Sequence, residues 1–586
     1  MKKYISTAVF LSLGLAAGAQ TFNPTVVVTN DYEGKTMEAH KKDLPMSVPD
    51  SLTKFDLAFD YSVFDQPYRG AYEFVPYAMD IRPQAAPESK KLLYINLGAG
   101  YTLHPELDIV FSPRLKKNFQ FSVYDNLRGF WGPYLGTDFS YDAGTGINSL
   151  IRRESFTGYD FRNQAGIDLM YDNARTAMFA KADFRTITSS DNIENRLYNA
   201  ADVRAGIKSV SGDRWDYNAG LGLTYGWDQI HSDSWRLISE LDANLSGGAH
   251  YEIFNAMRVG AELGFNYVSA TDASTDNLNC GAGEVFAIPQ FLWQYDRSFL
   301  KLGLKMAYIF SYDQNNKADY NEAIRNYRQP SGFLFPDVEF SYKVVDKKLD
   351  LFVKATGGNN LGAYGSLVES NHFFKPFYYL AVVPAPLLDN SVERFNGSAG
   401  FRFGSSHFQA DVTAGFAKYD NGRVESFFVD NIYSPRIYNG FSYVNYQQKY
   451  VQANLKWNSA RIAVELSGKL RDSKALTDEA YAGVLPSKYA AAGAITYNLN
   501  HRLFMGVTAE YSSARDGYFI TGSYGENLNA VTIPSYIDLG CNARFDFSDS
   551  FSVWARLSNV LNNNVQRTLG HAYDGVYVTG GICFNF

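Results

Sequence analysis

The residues whose types could do chemistry are spread thinly along this chain of 586 residues. No two histidines form a His-x-x-x-His pair, and the sequence has neither a Gly-x-Ser-x-Gly nucleophile elbow nor a phosphate-binding loop. Asp272 and Asp276, with nearby carbonyls, offer the oxygen ligands that calcium prefers, but solvated surface acids are the commoner interpretation of such a pair. The eight histidines lie far apart: His40, His104, His231, His250, His372, His407, His501 and His571. We therefore expect no catalytic site, no metal, no cofactor and no enzymatic activity.

Cysteine usage and charge exclude two further classes. The three cysteines, Cys280, Cys541 and Cys583, cannot form a disulfide framework and match no zinc-ligand spacing. The formal net charge is -7 and no basic run occurs, which argues against nucleic acid as a partner.

The amino terminus has the pattern of a secretory signal peptide over residues 1–19. Lys2 and Lys3 precede an apolar stretch, Tyr4 to Ala17, and a small-x-small cleavage site lies before Gln20. No later stretch is apolar for long enough to form a transmembrane helix. A membrane interpretation must therefore rest on β-strands.

From Leu92 onward the sequence alternates between apolar and polar residues, as β-hairpins do. In Ile462 to Arg471, for example, the charged residues keep to one face, which indicates a wet lumen rather than a close-packed core. Short turns alternate with long connections, and aromatics make up 16% of residues, which suits girdles at two membrane interfaces. Candidate strands start near Leu92, His104, Phe119, Arg153, Ala174, Asn195, Arg214, Ser234, Glu252, Cys280, Ser298, Phe333, Leu349, Ser391, His407, Phe441, Ala460, Ser487, Arg502, Ser535, Phe551 and Ala572.

This pattern predicts an all-β fold: a transmembrane antiparallel β-barrel of about 22 strands over residues 92–586, preceded by a short segment, residues 20–91. Such a barrel is about 40 Å across, too wide for side chains to fill. We expect the amino-terminal segment, inward-folded loops or a partner to occlude it.

The last strand is expected to carry the membrane-insertion signal. Ile582, Phe584 and Phe586 fall on one apolar face of a strand that ends the chain on a phenylalanine. Closing the barrel there leaves no unpaired edge in lipid. The expected partners are outer-membrane lipid and the assembly machinery that recognises this strand, and the expected location is the cell outer membrane.

The carboxy-terminal run Val553 to Asn564, which contains Asn559-Val560-Leu561-Asn562, resembles the last hairpin of TonB-dependent receptors. That resemblance, most like the receptors of the Bacteroidota, implies a nutrient-uptake barrel. The chain departs from the family because residues 20–91 are shorter than the folded plug domain that such receptors carry. The short run Thr25, Val26, Val27, Val28 and Thr29 resembles a TonB box, although an ordinary extended segment is the commoner interpretation.

A long apolar loop, Phe373 to Leu388, begins with an aromatic group: Phe373, Phe374, Phe377, Tyr378 and Tyr379. An exposed stretch of this kind needs a cover, so it is either a lid folded into the lumen or a docking surface for a surface or periplasmic protein. Two functions follow. One is a transport channel or receptor for a bulky nutrient. The other is a non-transporting accessory or scaffold barrel in an outer-membrane complex, with residues 20–91 as a reduced plug or a docking arm.

Overall fold

The computed structural model describes residues 92–586 apart from gaps at 114, 116–117, 145, 174, 211–213, 232–234, 255, 274–278, 314–330, 377–387, 430–435, 477–481 and 522–526. The predicted signal peptide, the segment 20–91 and the TonB-box-like run Thr25 to Thr29 lie outside the described residues. So do Phe377, Tyr378 and Tyr379.

The fold is a closed antiparallel barrel of 22 strands, as the alternating pattern predicted. Each strand pairs with the next along the barrel, and β1 pairs with β26 to close it over eight residue pairs, from Tyr94↔Asn585 to Tyr101↔Val578. The barrel strands are β1 Leu93–Tyr101, β2 Glu106–Phe111, β3 Phe119–Asp142, β4 Ile147–Asp172, β5 Thr176–Ser190, β6 Asn195–Ser209, β7 Trp215–His231, β8 Trp235–Phe254, β9 Met257–Asp272, β10 Asn279–Tyr295, β11 Ser298–Asp313, β12 Ser331–Val345, β13 Leu349–Asn360, β14 Ser391–Gly404, β15 Phe408–Val429, β16 Ile437–Asn458, β17 Ile462–Ala475, β19 Tyr489–Asn498, β20 Leu503–Ser512, β23 Tyr536–Ser548, β24 Phe551–Ser558 and β26 Tyr577–Asn585.

Smaller elements lie in the connections at one end of the barrel. They are β18 Gly483–Val484, β21 Arg515–Thr521, β22 Asn527–Ile533, β25 Ala572–Tyr573 and a short helix, α1 Tyr364–Ser370. No helix within the described ranges is both long and apolar enough to cross a membrane.

The two faces of the barrel wall differ in polarity, as the strand β8 shows. Leu237, Leu241 and Leu245 point outward and are exposed, whereas Glu240 and His250 point inward and are buried. Inward-facing acids pair with bases on the barrel wall. Asp108–Arg128, Asp337–Lys301 and Glu339–Lys354 join neighbouring strands, Asp546–Arg544 lies within β23, and Glu106–Arg556 joins β2 to β24 across the closure seam. An apolar outer face and a charged inner face are the arrangement of a barrel that spans a bilayer.

Aromatic side chains mark two heights on the outer face. Trp215 and Tyr251 lie opposite each other on β7 and β8, near the short turns, and both are exposed at one height. Tyr225 and Tyr308 are exposed about ten residues further along their strands. Ten tilted residues span about 25 Å, the height of the apolar band of an outer-membrane barrel.

The glycines at the closure seam leave room for a large side chain. Trp554 of β24 lies inside the barrel, where its indole N–H donates to Asn96 at 2.6 Å. A Cβ at Gly98 would lie 2.5 Å from that ring, and a Cβ at Gly581 would lie 2.6 Å from it. Side chains at these positions are therefore excluded while the indole occupies this place.

Four strands rise well above the apolar band, and here the sequence-based boundaries were wrong. β3 and β4 have 24 and 26 residues and β15 and β16 have 22 each, whereas a bilayer needs about ten. The expected long connections 132–151 and 420–440 are therefore mostly strand. The predicted starts Arg153 and Phe441 fall inside β4 and β16, Glu252 falls inside β8, and Ala572 belongs to β25 rather than to the closing strand.

Candidate functional site: the covered mouth of the barrel

Each of the four rising strands has an edge that no barrel strand covers, and a loop segment pairs with each of these edges. We call this end of the barrel, where the long connections lie, the mouth. β25 pairs with β3, β22 with β4, β18 and β21 with β15, and Phe374 with β16. The covering pairs are Ala572↔Leu135, Tyr573↔Tyr134, Val531↔Asn148, Thr532↔Ser149, Glu425↔Val484, Phe428↔Ile520, Val429↔Thr521 and Phe374↔Asn439. Each of these edges is thus partly covered, over one or two residues at each pairing.

The hairpin β21–β22 joins opposite sides of the barrel. β21 runs parallel to the tip of β15, and β22 runs parallel to the tip of β4. In barrel order β4 and β15 are eleven strands apart in either direction. We call β21–β22 the crossing hairpin, because it connects strands that start diametrically opposed.

Two apolar clusters hold the crossing hairpin from its two faces. Phe519 packs with Phe427, Val531 and Leu150, the last from the tip of β4. Ile520, the next residue, packs in a second cluster that includes α1 and the inner wall. Alternate side chains of one strand therefore enter different clusters, so the hairpin is buried on both faces.

Helix α1 belongs to the loop between β13 and β14 and is folded inward. Tyr364, Leu367 and Val368 are buried against wall residues of β5 to β10, including Ile187, Tyr198, Ile238, Ala270 and Cys280. The Tyr364 hydroxyl donates to Asp228 at 2.6 Å, and Arg196 pairs with the same carboxylate at 3.1 Å. Asp228 and Arg196 are both fully buried, so α1 is fixed to the wall by a charged network within the apolar contact.

The charged network continues at Lys375, which follows α1. Its ammonium lies 2.8 Å from Asp191 and 3.4 Å from Glu194, both in the loop between β5 and β6. His571, from the loop between β24 and β26, reaches Asp191 at 3.0 Å. Burial opposes ionisation of Asp191, but the Lys375 ammonium and the His571 hydrogen bond outweigh it and hold the pKa of that carboxyl below its usual range. Asp191 is therefore an anion that joins three loops.

The structure places Phe373 and Phe374 of the apolar loop inside the molecule. Phe374 is fully buried among α1, Phe441 and Tyr438. The Phe373 ring stacks on His571 with centroids 3.9 Å apart and meets Tyr134 of β3 edge-on at 5.5 Å. This loop, which starts after β13, therefore reaches across the mouth to the far wall.

The Asn-rich motif near the carboxy terminus has a local structural role. Asn559 and Asn562 both have a positive φ, which asparagine tolerates better than most residues. The Asn559 side chain accepts from the Asn563 N–H and donates to the carbonyls of Asn563 and Gly575. The motif thus shapes the loop that carries His571 to the mouth.

The terminal strand shows the expected alternation of faces. Ile582 and Phe586 are exposed on the outer face, Phe584 is half-buried beside Phe551, and Cys583 is buried inside. Cys541 is exposed, and no disulfide joins Cys280, Cys541 and Cys583.

Deleting Phe586 should lower the amount of heat-modifiable barrel in the outer membrane, because the terminal aromatic lies at the lipid-facing end of the closing strand. Quantitative blotting of membrane fractions measures this. Exchanging Phe586→Tyr keeps the aromatic and is the control. Unchanged levels after the deletion would show that the strand is recognised without it.

No group of three metal-ligating side chains is found among the residues that the structure describes. Asp272, one of the two candidate calcium ligands, is buried with Arg236 at 4.0 Å, and Asp276 lies in a gap. The sequence did not predict the charged network at the mouth, because Asp191, Lys375 and His571 lie far apart along the chain.

The sequence matches no known protein-family model, and no curated protein is detectably similar to it in sequence. Solved structures share its fold. The FrpB iron transporter from Neisseria meningitidis (F5-1 variant, apoprotein form) aligns with a TM-score of 0.62 at 9% identity, over 86% of this chain and 82% of that one. The siderophore receptor PirA from Acinetobacter baumannii aligns with a TM-score of 0.58 at 11% identity, over 86% of this chain and 81% of that one. FpvAI in its complex with pyocin S2 aligns with a TM-score of 0.57 at 10% identity, over 86% of this chain and 74% of that one.

Proposed function

We propose that the chain is an outer-membrane barrel related to TonB-dependent receptors, which binds and takes up a bulky nutrient through a gated mouth. The observation that carries this proposal is the crossing hairpin, which spans a barrel too wide for side chains to close. The likeness in fold to an iron transporter and a siderophore receptor supports it. The paired charges on the inner wall suit a hydrated path for a polar ligand.

The gate has identifiable moving parts. The crossing hairpin pairs with β4 and with β15 over two residues each, so few backbone hydrogen bonds oppose its release. The charged network around Asp191 and the two apolar clusters supply most of the remaining restraint. A ligand that displaces these contacts opens the mouth only by its differential affinity for the open state.

A disulfide between Ser149→Cys and Thr532→Cys should block uptake, because these paired residues lie where the crossing hairpin meets β4. We expect oxidised cells to lose growth on ferric siderophore as the sole iron source and to regain it after mild reduction. Each single cysteine variant is a control for the disulfide and for the native thiols. Full growth with the disulfide formed would mean that the mouth is not the route.

The alternative function, a non-transporting accessory or scaffold barrel, is favoured by one observation. Loop segments pair with all four rising strands at the mouth, which suits a barrel whose mouth is covered. In that case residues 20–91 would serve as a docking arm for a partner; in the transporter they would serve as a reduced plug. The solved complex of FpvAI with pyocin S2 shows a barrel of this fold holding a protein partner.

Deleting Asp56 to Pro83 while keeping the signal peptide should discriminate between the two roles of that segment. We expect the shortened protein to insert into the membrane, since the barrel strands are intact. A reduced plug predicts higher single-channel conductance and greater sensitivity to large antibiotics. A docking arm predicts unchanged conductance and loss of a protein that co-purifies in mild detergent. No change in either measurement would contradict both roles.

A further inference from the structure

Three lysines lie close together on the outer face of the barrel, below the mouth. Lys418 of β15, Lys449 of β16 and Lys474 of β17 are all exposed, and we call them the lysine patch. Gln447 lies opposite both Lys418 and Lys474 in one row of the sheet, and Lys449 lies in the row beneath, opposite Asp472. Strands lie about 4.8 Å apart and alternate residues about 7 Å apart, so the three Cα atoms lie within about 10 Å of one another.

The direction of these side chains follows from the alternation along β16 and β17. Lys474 and Asp472 continue the series of alternate residues that includes Leu466 and Leu470, which are exposed on the apolar outer face. Lys449 stands two residues from Val451, which is exposed on the same face. The lysine patch therefore faces outward, directly above apolar side chains.

The height of the patch is the upper edge of the apolar band. Lys418 lies ten residues from the start of β15, and Lys449 lies nine residues from the end of β16. Tyr489, 45% exposed and opposite Leu470, is an outer-face aromatic at this height, and the ammonium of Lys488 lies 5.7 Å from the centroid of its ring. Because outer-membrane barrels direct their long connections to the outside, this is the headgroup level of the outer leaflet.

The patch is confined to one side of the barrel. Among the described residues, no other lysine or arginine faces outward from a barrel strand at this height without an ion pair; Arg394 of the neighbouring β14 is held by Asp420. Lysines that only anchored the barrel at the membrane surface would be spread around its circumference, whereas these lie on three consecutive strands. Three positive charges beside the single acid Asp472 leave a local charge of +2.

We propose that the lysine patch binds the phosphate-bearing headgroup of an anionic lipid in the outer leaflet. A lysine ammonium is a point charge on a flexible stem, so three of them can approach one phosphate from different sides, and basic clusters at a membrane surface attract anionic headgroups. Val451 and Leu470, each 42% exposed beneath the patch, would contact the acyl chains of the same lipid. This inference rests on the place of the barrel in the outer membrane and stands apart from nutrient uptake.

The test uses the full-length protein purified in detergent and fluorescent bisphosphorylated lipid A as the probe, with binding measured by anisotropy. Replacing the whole patch, as Lys418→Gln, Lys449→Gln and Lys474→Gln together, should weaken binding about a hundredfold, because each lysine near an anionic surface contributes about fivefold. Asp472→Asn removes the acid within the patch and should tighten binding about fivefold. Raising the salt concentration should weaken binding to the parent more than binding to the triple variant.

The matched control changes the same number of charges at the other end of the barrel. Lys343→Gln, Lys347→Gln and Lys348→Gln together alter the short turn between β12 and β13, and this variant should bind lipid A as the parent does. Lipid A without its phosphates should bind the parent and both triple variants alike. Heat-modifiable migration shows that each variant is folded.

Three results would overturn the proposal. Equal loss of binding in the two triple variants would show an effect of total charge only. Tighter binding after loss of the patch, or weaker binding after Asp472→Asn, would show that its charges do not attract the headgroup. Displacement of lipid A by an equal concentration of inorganic phosphate would show an anion site that does not select a lipid. None of these measurements depends on uptake, so the inference and the proposed transport can fail separately.

Discussion

Replacing Lys375 by Met should release the inward loop from the wall and make the mouth sensitive to protease, although the barrel remains inserted. The Lys375 side chain is 3% exposed, and the side chains of its partners Asp191 and Glu194 are 0% and 10% exposed. Met has a similar length but no charge, so Asp191 loses its ammonium partner and keeps only His571 and the backbone N–H groups of Ile193 and Glu194. Removing one member of a buried ion pair costs about 3–5 kcal/mol, because the remaining charge is left without compensation.

The measurement is amide exchange in α1 and in the loop that carries His571, together with the rate of cleavage by added trypsin in intact cells. Lys456→Met is the matched control, because Lys456 pairs with Glu465 on the exposed inner wall and such a pair contributes about 0–1 kcal/mol. Equal effects of the two changes would show that the buried network does not hold the mouth.

Replacing Leu466 by Arg should lower barrel stability far more than replacing Ser467 by Arg. Leu466 is 45% exposed on the outer face in the middle of the apolar band, paired with Leu455 and Gly493. Ser467 faces inward. An arginine at the lipid-facing midplane costs about 2–4 kcal/mol, whereas an inward change places the charge in the polar lumen at little cost.

Urea unfolding of the purified variants in phospholipid vesicles gives the two free energies of unfolding. Leu466→Ala controls for the lost side-chain volume, since it removes apolar contact without adding charge. If Leu466→Arg and Ser467→Arg shift the midpoint equally, the assignment of faces along β17 is wrong.

The barrel strands could be read from the sequence because each obeys a local rule: alternate residues face lipid, and the residues between them face water. The same rule failed at the rising strands for local reasons. β3 contains Gly132 and Pro133 and a register shift near Tyr134, and β15 has a shift between Tyr419 and Gly422, so both resemble turns in sequence. Gly575, with φ +90°, separates β25 from β26, although the predicted closing strand ran on from Ala572 without a break.

The covered mouth could not be predicted in this way, because its contacts are set by the closed barrel. Asp191 and His571 are 380 residues apart, and neither lies in a motif. The aromatic start of the loop after β13 indicated that Phe373 and Phe374 need a cover, but the nature of that cover depends on which loops the barrel brings to the same end. Scattered polar residues that appear unremarkable in sequence become a network only when the ring of strands is complete.

The origin of the covering segments also sets an order of assembly. Asn148 of β4 is covered by β22, in the connection between β20 and β23. Its side chain donates to the carbonyl of Ala530, 382 residues further along. The edge of β3 is covered by β25, which immediately precedes the final strand. The rising strands are therefore made early and receive their covers from segments that are made late. Damage at the mouth should consequently leave a barrel that has inserted and closed normally, so its defect appears at the cell surface rather than in biogenesis.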